Sequence, residues 1–122
     1  MVQFVKFEMS EDALNKVKNF LGKVLKTTGK IRAGVNEVTK HIERGNAKLV
    51  IMAEDVTPEE LLLHIPLLCD EKKIPYLYYK ERKELGEISG LKIKTSCLVV
   101  LNEGQAKKEL DELNKLFKEL KK

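Results

Sequence analysis

The sequence predicts an α/β protein, a three-layer α/β/α sandwich around a small mixed sheet. One sign is the run Leu49-Val50-Ile51-Met52-Ala53, apolar throughout rather than alternating, as in a strand covered on both faces. A second is that segments with apolar residues at helical spacing separate such runs, so helices and strands alternate along the chain. The third is size: 122 residues with 43% hydrophobic side chains suffice for one domain with a modest core, and no linker, repeat or low-complexity segment interrupts them.

After a short opening segment, Ser10 caps a first helix with Glu11 and Asp12 in its first turn, and Leu14, Val17, Leu21, Val24 and Leu25 form its buried stripe. Gly29 ends it. Lys30 to Arg32 make a brief strand, and Gly34 turns into a second helix that stops near Gly45. Leu49 to Ala53 is the central strand. Thr57-Pro58-Glu59-Glu60 is a strong helix start, with Thr57 as cap, Pro58 at the first helical position and Glu60 closing a capping box. Leu61, Leu62, Ile65, Leu68 and Cys69 continue inward, and Pro66 predicts a kink or restart because it removes a helical hydrogen bond. Ile74 to Tyr79 is a strand with Pro75 near its start. A short helix from Glu81 to Ile88 precedes Gly90, Thr95 to Leu101 is the last strand, and Gln105 to Leu120 the last helix. Its stripe of Ala106, Leu110, Leu113, Phe117 and Leu120 is too short for a coiled coil and docks on the sheet.

The formal net charge is +4, and 34% of residues are charged, so the surface is well solvated with a mild bias towards a polyanionic partner. The distribution is more telling. Lys16, Lys18, Lys23, Lys26, Lys30 and Arg32 fall between Ala13 and Asn36 without one acidic residue among them, which reads as a positively charged approach surface or, more plainly, a solvated helix face. Cys69 and Cys97 are far apart in apolar surroundings and are expected as reduced core residues. No signal segment and no membrane span is expected, and the predicted location is the cytoplasm.

Lys30 to Arg44 is the stretch with the most to say about function. Val35, Val38 and Ile42 recur at i, i+3 and i+7 and face inward, which turns Glu37, Lys40 and Arg44 outward beside Asn36. An amide, a carboxylate and an ammonium at one helix N-terminus can read nucleobase edges: Asn donates and accepts, Glu accepts from amino and imino groups, and Lys donates to guanine. The helix terminus adds N–H groups for a phosphate. A plain reading competes, with Asn36 as an N-cap, Glu37 as a first-turn acid, and Lys40 and Arg44 as solvated residues; the residues taken alone favour it.

Other chemistry lacks a motif. His41 and His64 have no paired ligand spacing, and each is expected at a surface or packed on its helix. There is no nucleophile elbow, dinucleotide fingerprint or phosphate-binding loop, so no enzyme, cofactor or catalytic metal is expected. Glu54 and Asp55, just after an apolar strand, leave one alternative open, a small nucleotide-binding module or enzyme that uses them with magnesium.

Gly34-Val35-Asn36-Glu37-Val38-Thr39-Lys40, Arg44-Gly45 and Ala53-Glu54-Asp55-Val56-Thr57-Pro58 together resemble the L-seven-A-e ribosomal protein family of kink-turn RNA binders, and the likeness continues through Leu67 to Lys72, Ile74-Pro75-Tyr76 and Leu85-Gly86. The length is similar to that of the archaeal members. The resemblance implies binding to RNA bent sharply by tandem sheared G·A pairs and a bulge that extrudes a nucleotide. It implies that Asn36, Glu37 and Lys40 read the G·A pairs, that Arg82 lies beside the extruded nucleotide, that Leu91-Lys92-Ile93 covers it, and that Leu61 lines the same pocket. Gly34 and Val35, at the turn into the reading helix, and Lys30 and Arg32 leading up to it are expected to bind the RNA as well. Val35 stands where a small or hydroxyl residue is usual, and Ile93-Lys94 where eukaryotic relatives have Arg-Pro. The implied partners are ribosomal RNA, box C/D and H/ACA guide RNAs, ribonuclease P RNA in tRNA processing, and the scaffold proteins of guide particles, which would meet the exposed side of the helix from Leu61 to Cys69. With the basic run, the resemblance reverses the balance in favour of RNA recognition.

Overall fold

The chain runs α1 (Glu11–Lys26), β1 (Lys30–Ala33), α2 (Val35–Arg44), β2 (Leu49–Ala53), α3 (His64–Lys72), β3 (Tyr76–Tyr79), α4 (Arg82–Ile88), β4 (Cys97–Asn102) and α5 (Lys107–Leu120). These elements belong to a computed structural model that describes residues 5–56 and 62–121. The strands form one sheet in the order β1-β4-β2-β3, with β4 antiparallel to both its neighbours and β2 parallel to β3. Ile51 is thus flanked by Leu98 and Leu77. Every residue of β2 and β3 is buried, which requires cover on both faces. α2 packs on α3 and against β1 and β4; α1 packs on α5 and α4 and against β3. The three-layer mixed-sheet architecture is the one the sequence predicts. No described helix is long and apolar enough to cross a membrane.

Local chemistry sets the ends of the helices. Ser10 Oγ accepts from the Ala13 N–H at 3.1 Å and caps α1, as expected. The apolar stripe of α1 differs slightly from the predicted one: Ala13 and Phe20 are buried, whereas Leu25 is 47% exposed. Its end falls at Thr27 rather than Gly29, where the Thr27 hydroxyl donates to the Lys23 carbonyl at 2.9 Å. In α3, Pro66 is the third residue, inside the first turn, where a missing N–H sacrifices no intrahelical bond. Among the described residues the helix begins at His64, just before the proline, which fits the restart rather than the kink. The predicted start at Thr57 to Glu60 lies outside the described residues.

Cys69 and Cys97 are buried free thiols, and burial pushes the pKa of each up to about 12, so both remain protonated core groups. Phe7 stacks with Tyr76 and meets Tyr78 and Phe117 edge-on, which fastens the opening segment and α5 to β3.

One consequence of the topology places the site. Because β4 runs antiparallel between β1 and β2, the C-terminal ends of β1, β2 and β3 and the start of β4 lie along the same edge of the sheet. The turn into α2, the Glu54-Asp55 pair, the start of α4 and the loop before Cys97 all leave from that edge.

Candidate nucleic-acid interface

The first half of the site is the N-terminus of α2. The Gly34 N–H donates to the Cys97 carbonyl at 3.0 Å, and the Gly34 carbonyl accepts the first bond of the helix from Val38 N at 2.9 Å. Between these bonds the backbone takes φ +104°, a region that L side chains rarely adopt, so glycine is needed there. Gly34 is the N-cap and brings no side chain to the first-turn N–H groups. Asn36 is the second residue of the helix and is exposed, which removes the capping role of the plain reading.

Glu37 Oε2 lies 3.1 Å from Lys40 Nζ, with both side chains about two-fifths exposed. The Lys40 hydrogen bond is the largest influence on the Glu37 carboxyl and, against desolvation and with the charges of Lys40, His41 and Arg32, holds it below the ordinary carboxylate range. Glu37 is therefore an ionised acceptor. A groove of about 660 Å³ opens beside it, lined by Val35, Asn36, Thr39, Lys40, Glu43, Arg44 and His64. His64 Nε2, 2.9 Å from Thr39 Oγ1, joins α3 to α2 along its wall. Lys30 and Arg32 are the exposed positions of the edge strand β1, and the charge of Arg32 reaches Glu37.

His41 is the residue that the sequence reading undervalued. It is only 9% exposed, packed on its own helix with Nε2 3.5 Å from Glu37 Oε2 and Nδ1 2.9 Å from Asn46 Oδ1. The signal was its place four residues after Glu37, where helical side chains meet.

The second half is built on α4. The Arg82 N–H donates to Asp55 Oδ1 at 2.9 Å, and Arg82 Nε is 3.6 Å from the same oxygen, so one carboxylate caps the helix and pairs with its first side chain. The Arg82 carbonyl in turn accepts from Thr95 N at 3.1 Å, and Leu91 N donates to the Gly86 carbonyl at 3.0 Å. The loop of Leu91, Lys92 and Ile93 lies so close on Gly86 that a Cβ there would collide with the Ile93 carbonyl. Lys92 has φ +62° and is exposed, and Ile93 is 68% exposed. A helix start bonded to Asp55 and Thr95 thus carries a loop that turns a large apolar side chain and an ammonium outward. Leu61 lies outside the described residues.

Asp55 is engaged by α4, and Glu54 is half-buried with its carboxyl pushed above the ordinary range chiefly by that burial. Among the described residues no group of three or more His, Cys, Asp or Glu could hold a metal ion. The basic run is also partly answered. Lys23 Nζ lies 3.1 Å from Glu109 of α5.

Among solved structures, a Giardia lamblia 15.5kD RNA binding protein is similar to this chain along nearly its whole length, with a TM-score of 0.85, 27% sequence identity and 98% of each chain covered. Residues 15–110, from within α1 into α5 and so including every strand and both halves of the site, match the model of the ribosomal protein L7Ae/L30e/S12e/Gadd45 family, and the chain belongs to that family.

Proposed function

We propose that this protein is a non-enzymatic RNA-binding protein that recognises kink-turns, serving the large ribosomal subunit, box C/D and H/ACA guide ribonucleoproteins and ribonuclease P. The observation that carries the reading is the gathering, at one edge of the sheet, of the ionised Glu37 with Asn36 and Lys40 on one side and of Arg82 with the exposed Ile93 on the other. The first group suits guanine edges laid open by sheared pairs, and the second suits an unstacked base. The uncapped first turn of α2 leaves N–H groups for a phosphate. Such contacts favour the bent RNA over the extended one, and the protein shifts the population only through them.

Gel-shift titration against a kink-turn and against the same RNA with Watson–Crick pairs in place of its G·A pairs tests the proposal. Asn36→Ala and Glu37→Gln should each lose about 1–3 kcal/mol of kink-turn binding, the range for a good base-edge contact, with little effect on the control. Glu37→Gln is decisive because a carboxylate repels phosphate. Were Glu37 only a solvated acid, its neutralisation would leave RNA binding unchanged or tighter, and that outcome would sink the recognition role.

The same reading gives the outer side of α3, where Leu67 is 64% exposed, to the scaffold protein of guide particles. Leu67→Asp should abolish pull-down of the scaffold by the RNA-bound protein while RNA affinity stays the same. Equal recovery of scaffold by variant and parent would remove this face from the assembly.

A further inference from the structure

Along α2 and the turn that ends it runs a line of polar groups: Asn46, His41, Glu37 and Lys40. His41 Nδ1 is 2.9 Å from Asn46 Oδ1, His41 Nε2 is 3.5 Å from Glu37 Oε2, and Lys40 Nζ is 3.1 Å from that same Oε2. The line starts from fixed backbone, because Gly45 ends α2 in the left-handed conformation and Asn46 N donates to the His41 carbonyl at 3.2 Å. His41 is nearly buried, whereas the Glu37 and Lys40 side chains are about two-fifths exposed. An exposed ion pair by itself is weak and leaves both side chains many conformations. A packed ring anchored at its far end does not share that freedom.

The inventory of hydrogens sharpens this. If His41 Nδ1–H donated to the Asn46 oxygen and Nε2 were bare, a lone pair would face the Glu37 carboxylate. Two arrangements avoid the repulsion: the Asn46 amide turned so that its NH2 donates to Nδ1, or a doubly protonated ring. Both put a hydrogen on Nε2, facing Glu37. The closest approaches of His41 and Lys40 both fall on Oε2, which leaves Glu37 Oε1 as the oxygen to accept from a donor outside the protein.

We propose that His41, backed by Asn46, is a positioning residue that holds the Glu37 carboxylate by one oxygen and so presents the other at the interface. The consequence for RNA rests on the recognition role proposed for Glu37; the positioning itself does not. His41→Leu keeps a helix-forming apolar side chain in the packed position and removes the donor, while His41→Gln restores an N–H within reach of Glu37. The Leu variant should bind the kink-turn about tenfold more weakly, at the lower end of what a base-edge contact contributes, with the Watson–Crick control unchanged and most of the loss recovered in the Gln variant. Without RNA, NMR three-bond couplings should show one Glu37 rotamer in the parent and the Gln variant, and averaging in the Leu variant. Unchanged couplings in the Leu variant would overturn the positioning. Averaged couplings with full selectivity would overturn its link to recognition. A parent protein that does not prefer the kink-turn would defeat the RNA reading, and the couplings would still decide the role of His41. Should His41→Leu fail to fold, Asn46→Ala leaves the ring and removes its anchor, and the same two measurements apply.

Discussion

Glu54 and Asp55 show how differently two adjacent carboxylates can be placed. Asp55 is exposed, accepts from the Arg82 N–H and lies 3.6 Å from Arg82 Nε. Glu54 is half-buried, and burial lifts its pKa above the ordinary 4.5 despite the opposing charge of Lys80. A carboxyl whose folded pKa is raised contributes stability that is present below the unfolded value and is lost as pH rises through the folded value. Glu54→Gln, which cannot ionise, escapes that loss. The variant should therefore be more stable than the parent in urea unfolding at about pH 7, with the difference disappearing near pH 4, below both pKa values. An equal difference at both pH values would mean that Glu54 acts through packing rather than through its charge.

At the scale of the element, α4 and the loop after it form one unit. Leu91 and Thr95 bond to the Gly86 and Arg82 carbonyls, and Gly86 lets the loop backbone lie against the helix. The atoms that a Cβ at Gly86 would meet are backbone atoms of Ile93, so no side-chain rotation relieves the clash. Gly86→Ala should cost about 1–3 kcal/mol of stability, as overpacking does, and should shift amide resonances mainly from Leu91 to Thr95. Gly22 in α1 makes the opposite case, because nothing lies within 4 Å of a Cβ built there. Gly22→Ala should stabilise the protein by about 0.5–1 kcal/mol through helix propensity. A denaturant midpoint that stays or rises for Gly86→Ala, as it should for Gly22→Ala, would show that the contact between loop and helix is not what holds the unit together.

At the scale of the molecule, charge is apportioned by which helices pack. α1 lies on α5, so Lys23, exposed like Lys18 and Lys26, faces Glu109. If α1 contributes a field that attracts RNA, Lys18→Ala and Lys26→Ala should weaken kink-turn and control RNA alike. A lysine that touches phosphate should also flatten the slope of log affinity against log salt by about one unit. Lys23→Ala should do less, because Glu109 already offsets its charge. Slopes changed equally by Lys23→Ala and Lys26→Ala would show that the pair with Glu109 does not persist in solution.

Local patterns in the chain specify the parts. Helix and strand periodicity, the cap at Ser10, the left-handed stop at Gly45 and the fully covered β2 are all local, because a 3.6- or 2-residue period decides which side chains face together whatever lies beyond them. The outward set of Asn36, Glu37 and Lys40 could be read for the same reason. Tertiary structure alone decided what these residues meet. Asp55 finds Arg82 27 positions away and Lys23 finds Glu109 86 positions away, and no spacing rule reaches so far. His41 is intermediate: its distance from Glu37 along the helix is legible, but its burial follows from the packing around α2. The site as a whole depends on β4 inserting antiparallel between β1 and β2, which brings four separate stretches of chain to one edge of the sheet. That order is set by long-range pairing and the burial it achieves, and local periodicity carries no information about it.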